Sequence, residues 1–104
     1  MAVVVIYSKI AKQDLRSIYD YIKKDSARYA SNEILLIRQA INKLKSNILL
    51  GKKFEKSSDD LTRELIFRNY RIIYDIVPDE RIIILTIHHH ARLISNNPAF
   101  TDED

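Results

Sequence analysis

From Val3 to Tyr7 the chain runs through β-branched residues to an aromatic one without a charge, which is the composition of a strand. Ser8 then offers an N-cap oxygen, and Ala11, Leu15, Ile18 and Ile22 recur at helical spacing. That predicts one apolar face of a helix ending near Asp25, with Asp14, Arg16, Asp20 and Lys23 on its solvated side. "DSARYAS" is a polar break with two more capping serines. After it, Ile34, Ile37, Ile41, Leu44 and Ile48 form an uninterrupted stripe, widened by Leu35, Leu36 and Leu49. This predicts a second helix of about four turns. Gly51, the sole glycine, stands where a C′ residue takes the left-handed conformation. The two helices read as an αα-hairpin.

The stretch 52–60, "KKFEKSSDD", is polar and aperiodic and reads as a loop. Beyond it the period becomes two. Strands are expected over 61–68, 71–77 and 81–89, with turns near Asn69 and at "PDE", 78–80. Short turns make these three an antiparallel meander. The expectation is an α+β domain of order β-α-α-β-β-β, with the helical hairpin packed on one face of a small antiparallel sheet.

Alternation then sorts the strand residues. Ile72, Tyr74 and Ile76 share a face, opposite Arg71, Ile73, Asp75 and Val77. Leu65 and Phe67 oppose Glu64, Ile66 and Arg68. In the last strand Ile83, Leu85, Ile87 and His89 share one face, and Ile82, Ile84, Thr86, His88 and His90 the other. One face of the sheet is apolar and belongs to the helices. The second is mixed and uncovered, the natural place for a partner site.

Composition narrows the class. With 104 residues, 46% hydrophobic and 30% charged, the chain 1–104 is expected to form one globular domain. It contains no cysteine, which excludes disulfides and thiol chemistry and fits a reducing, cytoplasmic setting. "AVVVI" is too short for a signal peptide or a membrane span, so no membrane role is expected. The net charge is +3. Setting aside Asp102, Glu103 and Asp104 of the acidic tail (about 99–104) leaves 17 cations against 11 carboxylates, a net +6 suited to an acidic or polyanionic partner.

The element order, "AKQDLRSIYDYI", "RELIFRNYRIIYDI" and "IILTIHHHARL" together resemble the ParE/RelE superfamily of type II toxins. The matching residues are Arg63, Glu64 and Leu65, then Tyr70 to Tyr74, then His89 and Arg92, and the likeness spans about 3–95. It implies a small cytoplasmic toxin neutralised by a cognate antitoxin, meeting operator DNA only through the antitoxin complex. ParE-like members poison DNA gyrase; RelE-like members cut mRNA in the ribosome.

A metal-free RNase needs a base, an acid and cations on one surface. If the chain is such a nuclease, Glu64, Arg71, His89 and Arg92 are its catalytic candidates. Lys52, Lys53, Arg63, Arg68, Arg71 and Arg92 are candidates for target or phosphate contact, with Lys56 beside them. RelE-like nucleases generally carry a C-terminal tyrosine, and this chain has none after Tyr74. The resemblance therefore leans to the ParE branch, without recognised catalytic residues. A relic that only binds antitoxin is the third reading. Antitoxin contacts are expected at Ile73, Asp75, Ile84, Thr86 and His88. His88 and His90 share a strand face, but no third ligand follows from the sequence, so no metal and no cofactor is expected.

Overall fold

The computed structural model describes residues 3–56, 61–78 and 80–89. Its elements are β1 (Val4–Tyr7), α1 (Lys9–Lys23), α2 (Ala27–Asn42), a 3₁₀ turn (Lys43–Lys45), β2 (Lys52–Lys53), β3 (Thr62–Phe67), β4 (Tyr70–Val77) and β5 (Arg81–His89). The five strands form one sheet in the order β1-β5-β4-β3-β2. The meander is antiparallel as expected, but β1 runs parallel to β5, so the sheet is mixed. The α1–α2 hairpin intervenes between β1 and the meander, which lets β1 lie alongside β5 in the same direction.

Both helices start on serine caps. Ser8 Oγ accepts from Ala11 N at 3.0 Å and Ser26 Oγ from Tyr29 N at 3.1 Å. The second cap lies inside "DSARYAS", so α2 begins earlier than the hydrophobic stripe suggests. It also ends earlier, passing into the 3₁₀ turn before Ile48. Ala30, Glu33, Ile37, Ala40 and Ile41 are its buried residues. The core joins Ala11, Leu15 and Ile18 of α1 and Ile37 and Ile41 of α2, with Leu44, to Tyr70, Ile72, Tyr74, Ile82, Ile84 and Ile87 of the sheet. Each fully buried aliphatic there contributes about 1.5–3 kcal/mol.

Three details overturn sequence expectations. Gly51 has no positive φ. It is glycine because a Cβ would meet Glu64 O at 2.7 Å and the Tyr74 ring at 2.9 Å. Among the described residues the left-handed positions are Arg68 (φ 55), between β3 and β4, and Glu80 (φ 58), between β4 and β5. In addition, "KK" at 52–53 is not loop but the edge strand β2, paired with Glu64 and Arg63.

The third detail is a bulge in β5. Ile73 pairs with Thr86 and Tyr74 with Ile84, so Leu85 has no partner on β4. The alternation shifts by one residue there. Ile82 and Ile84 face the helices before it, and Ile87 and His89 after it. β1 ends at this level, and the start of α1 takes over its bonding. Ser8 N donates to Ile84 O at 3.0 Å, and Ser8 Oγ to Leu85 O at 2.8 Å. Asp14 Oδ2 accepts from Thr86 Oγ1 at 2.6 Å and Ile87 N at 2.9 Å. Asp14 is therefore a half-buried cap of the sheet rather than a solvated helix residue.

Candidate functional site: the open face of the sheet

The helices cover one face of the sheet. On the other, Arg71 Nε pairs with Glu64 Oε2. The register puts Glu64 opposite Ile73 and Arg71 opposite Ile66, so the two charges meet on a diagonal of the β3–β4 ladder. The Glu64 side chain is only 5% exposed and that of Arg71 43%. A buried carboxylate is costly unless paired, so the guanidinium is fixed by electrostatics as well as by packing. Beside the pair, Thr62 Oγ1 donates to Asp75 Oδ1 at 2.6 Å, and His88 stands opposite Arg71 on β5. Ile66, exposed, stands opposite Arg71 on β3, and the exposed Val4 and Ile6 lie farther along the same face on β1, opposite Arg81 and Ile83.

The other arginines of the 63–77 stretch turn away from this face. Arg63 Nη1 donates to Gly51 O at 2.8 Å, on the side of Tyr74. Tyr74 hydroxyl donates to Ile48 O at 2.8 Å and accepts from Gly51 N at 3.0 Å. These bonds hold the chain between the 3₁₀ turn and β2 against the sheet. Burial, the largest influence, pushes the Tyr74 hydroxyl pKa up against the opposing pull of its Gly51 bond and Arg63. Arg68, in the hairpin turn, pairs with Glu33 of α2 at 3.3 Å. Glu33 also bonds the Tyr70 hydroxyl, whose pKa is raised by burial first and by that carboxylate second.

The sequence candidates therefore separate. Glu64, Arg71, Asp75, Thr86 and His88 belong to the open-face ladder, although Thr86 spends its hydroxyl on Asp14. Ile73 is on that face but only 5% exposed. Ile84 is fully buried beneath the helices and offers no surface, a direct consequence of the bulge. His89, grouped by alternation with the apolar face, does lie on the helix side, where its ring is 5.0 Å from that of Tyr70 and 6.4 Å from that of Tyr21. His89 thus does not join Glu64 and Arg71; His88 does. Lys52 and Lys53 are exposed on the sheet edge, and Lys56 is exposed beyond them. Arg92 and His90, and the acidic tail, lie outside the described residues. Among the described residues no three His, Asp or Glu side chains gather as metal ligands. No described helix is long and apolar enough to cross a membrane.

Glu33 and Asp14 were missed. Glu33 had a signal: with Ala30, Ile37, Ala40 and Leu44 it falls on one helical face, a carboxylate inside an apolar stripe. Asp14 had none, because its role depends on where β1 stops.

The fold recurs in solved structures. The chromosomal ParDE toxin–antitoxin system of P. aeruginosa gives a TM-score of 0.68 at 21% identity, covering 84% of this chain and 95% of the other. The RelBE2 toxin–antitoxin complex of Mycobacterium tuberculosis gives 0.59 at 21% identity, over 86% and 99%. The YoeB dimer of Staphylococcus aureus gives 0.57 at 21% identity, over 85% and 97%. No curated protein matches the sequence. The model of the ParE toxin of type II toxin–antitoxin systems matches residues 5–94, so the chain belongs to the ParE toxin family.

Proposed function

We propose that this type II toxin acts by binding DNA gyrase in the cytoplasm, without chemistry of its own, and that a cognate antitoxin neutralises it by covering the open sheet face. One observation carries this reading. Arg71, at one end of that face, is locked to the buried Glu64 carboxylate and stands opposite the exposed Ile66, while Arg81 lies at the far end of the same face, opposite Val77. A phosphate-cleaving centre needs its cation directed outward; a guanidinium already satisfied by a buried carboxylate and bordered by an exposed isoleucine suits a protein partner. Arg63 and Arg68, the other cations of the stretch, are engaged by Gly51 and Glu33.

The antitoxin follows from the family and from similarity to toxin–antitoxin assemblies. Its contacts are assigned to Asp75, Thr86 and His88 with the exposed rim, and operator DNA is met through the complex. Purified toxin with gyrase and plasmid DNA should block supercoiling and trap cleaved DNA, and added antitoxin should reverse both. A translating extract in which mRNA is cut in the ribosomal A site, with gyrase untouched, would overturn the proposal. One arrangement favours that RelE-like alternative, the placing of Glu64, Arg71 and His88 on one surface. Growth unaffected by expression without antitoxin would leave only the antitoxin-binding relic.

A further inference from the structure

A second surface, unrelated to the open sheet face, runs along α1. This helix buries Ala11, Leu15 and Ile18. At 3.6 residues per turn, Lys9, Lys12, Arg16 and Lys23 fall within an arc of about 60° on a different flank. From Lys9 to Lys23 the rise is about 21 Å. Two adjoining depressions lie along this flank. One, of about 610 Å³, is lined by Lys9, Lys12, Gln13, Arg16 and Ser17. The other, of about 260 Å³, enters the crevice with α2 and is lined by Lys12, Leu15, Arg16, Tyr19, Ile34 and Arg38. They share Lys12 and Arg16, so they form one trough.

No carboxylate lines either depression. Asp14 of α1 is turned to β5, where it accepts from Thr86 and Ile87. Asp20 lies 3.9 Å from Arg16, but both are largely exposed, and a pair of that kind neutralises little. Lys23 sits 5.9 Å over the Tyr19 ring, and Arg38 4.9 Å over the Tyr7 ring, which places both cations at the crevice. Five cations thus meet one carboxylate. The polar remainder, Gln13 and Ser17, supplies hydrogen-bond donors.

We propose that this trough binds a nucleic-acid phosphate backbone. A protein partner would need an apolar anchor at its centre, but Leu15 is buried and Ile34 half-buried. A phosphate chain needs only a row of cations and donors, and about 21 Å of helix matches about six phosphates of one strand at 3.4 Å each. The contact is with backbone, so it does not select sequence. It would hold DNA or RNA against the helical hairpin while the open face engages protein.

The test is fluorescence anisotropy of the full chain with a labelled 20-base-pair DNA duplex and a labelled 20-nucleotide RNA. With four phosphate contacts, affinity should fall about 150-fold for the duplex and about 50-fold for the single strand between about 50 and about 200 mM salt. The double variant Lys12→Glu/Arg16→Glu should lose binding at every salt concentration. Lys43→Glu/Lys45→Glu carries the same charge change on the 3₁₀ turn and should lose no more than severalfold. Circular dichroism on each variant establishes that the fold is retained. Binding of either probe with this pattern supports the trough, and the tighter probe identifies its nucleic acid. Absence of binding to both probes, or equal loss in the two double variants, overturns it.

Discussion

Removing the Arg71 side chain gives a sharp test of the open-face pair. In Arg71→Ala the Glu64 carboxylate, 5% exposed, keeps its charge and loses its cation. Stripping one partner from a fully buried pair costs about 3–5 kcal/mol. Arg71 is 43% exposed, so water enters where its side chain stood and the expected loss falls to about 2 kcal/mol. Adding Glu64→Gln removes the stranded charge. The double variant should therefore be more stable than Arg71→Ala alone, with a coupling of about 1–2 kcal/mol. The assay is urea unfolding followed by circular dichroism. With a slope of about 1–2 kcal/mol per molar, the Arg71→Ala midpoint should drop by about 1–2 M and recover in part in the double variant. If the two single losses add to within about 0.5 kcal/mol, the pair is not coupled and the account of the open face fails. The same variants separate folding from function. A double variant that regains stability yet stays inactive assigns Arg71 to target contact.

Gly51→Ala drives a methyl against Glu64 O and the Tyr74 ring. Overpacking of about 1–3 kcal/mol outweighs the 0.4–1 kcal/mol or so gained through the unfolded chain, so thermal melting should show a clear drop. Asp14→Ala orphans Ile87 N–H and should cost about 1–3 kcal/mol, with faster hydrogen exchange at that amide as the local readout. His88→Ala, at an exposed position, should change stability by under about 0.5 kcal/mol, whereas His89→Ala removes a ring packed on Tyr70 and should cost about 1–2 kcal/mol in urea unfolding. Tyr7, Tyr70 and Tyr74 all have raised pKa values. Above pH 10.0, their ordinary value, the unfolded chain gives up these protons before the folded one does. Stability should then fall as pH rises, and absorbance titration should show these phenols ionising together with unfolding.

What the sequence could show was set by local chemistry. The serine caps, the α1 stripe and the strand alternation of β3 and β4 each depend on neighbours within one turn or one hairpin, and all are readable. The β1–β5 pairing is not, because it joins residues far apart in the chain and no short turn announces it. β2 escaped for a different reason: two lysines have poor strand propensity, and they extend only because β3 offers them an edge. Gly51 shows the same gap from the other side. Its position after a helix suggested a left-handed cap, but the cause is a backbone crossing close by, which no local pattern encodes.

The bulge at Leu85 matters most for function. A one-residue shift exchanges the two faces of a strand. It moves Ile84 from the surface to the core while Thr86 and His88 stay on the open face, so a site chosen by alternation alone includes an isoleucine that the fold buries. The irregularity coincides with the end of β1, where Ser8 and Asp14 bond the β5 backbone in place of a further β1 residue. In this chain, therefore, the start of a helix on the covered side fixes which β5 residues reach the open side.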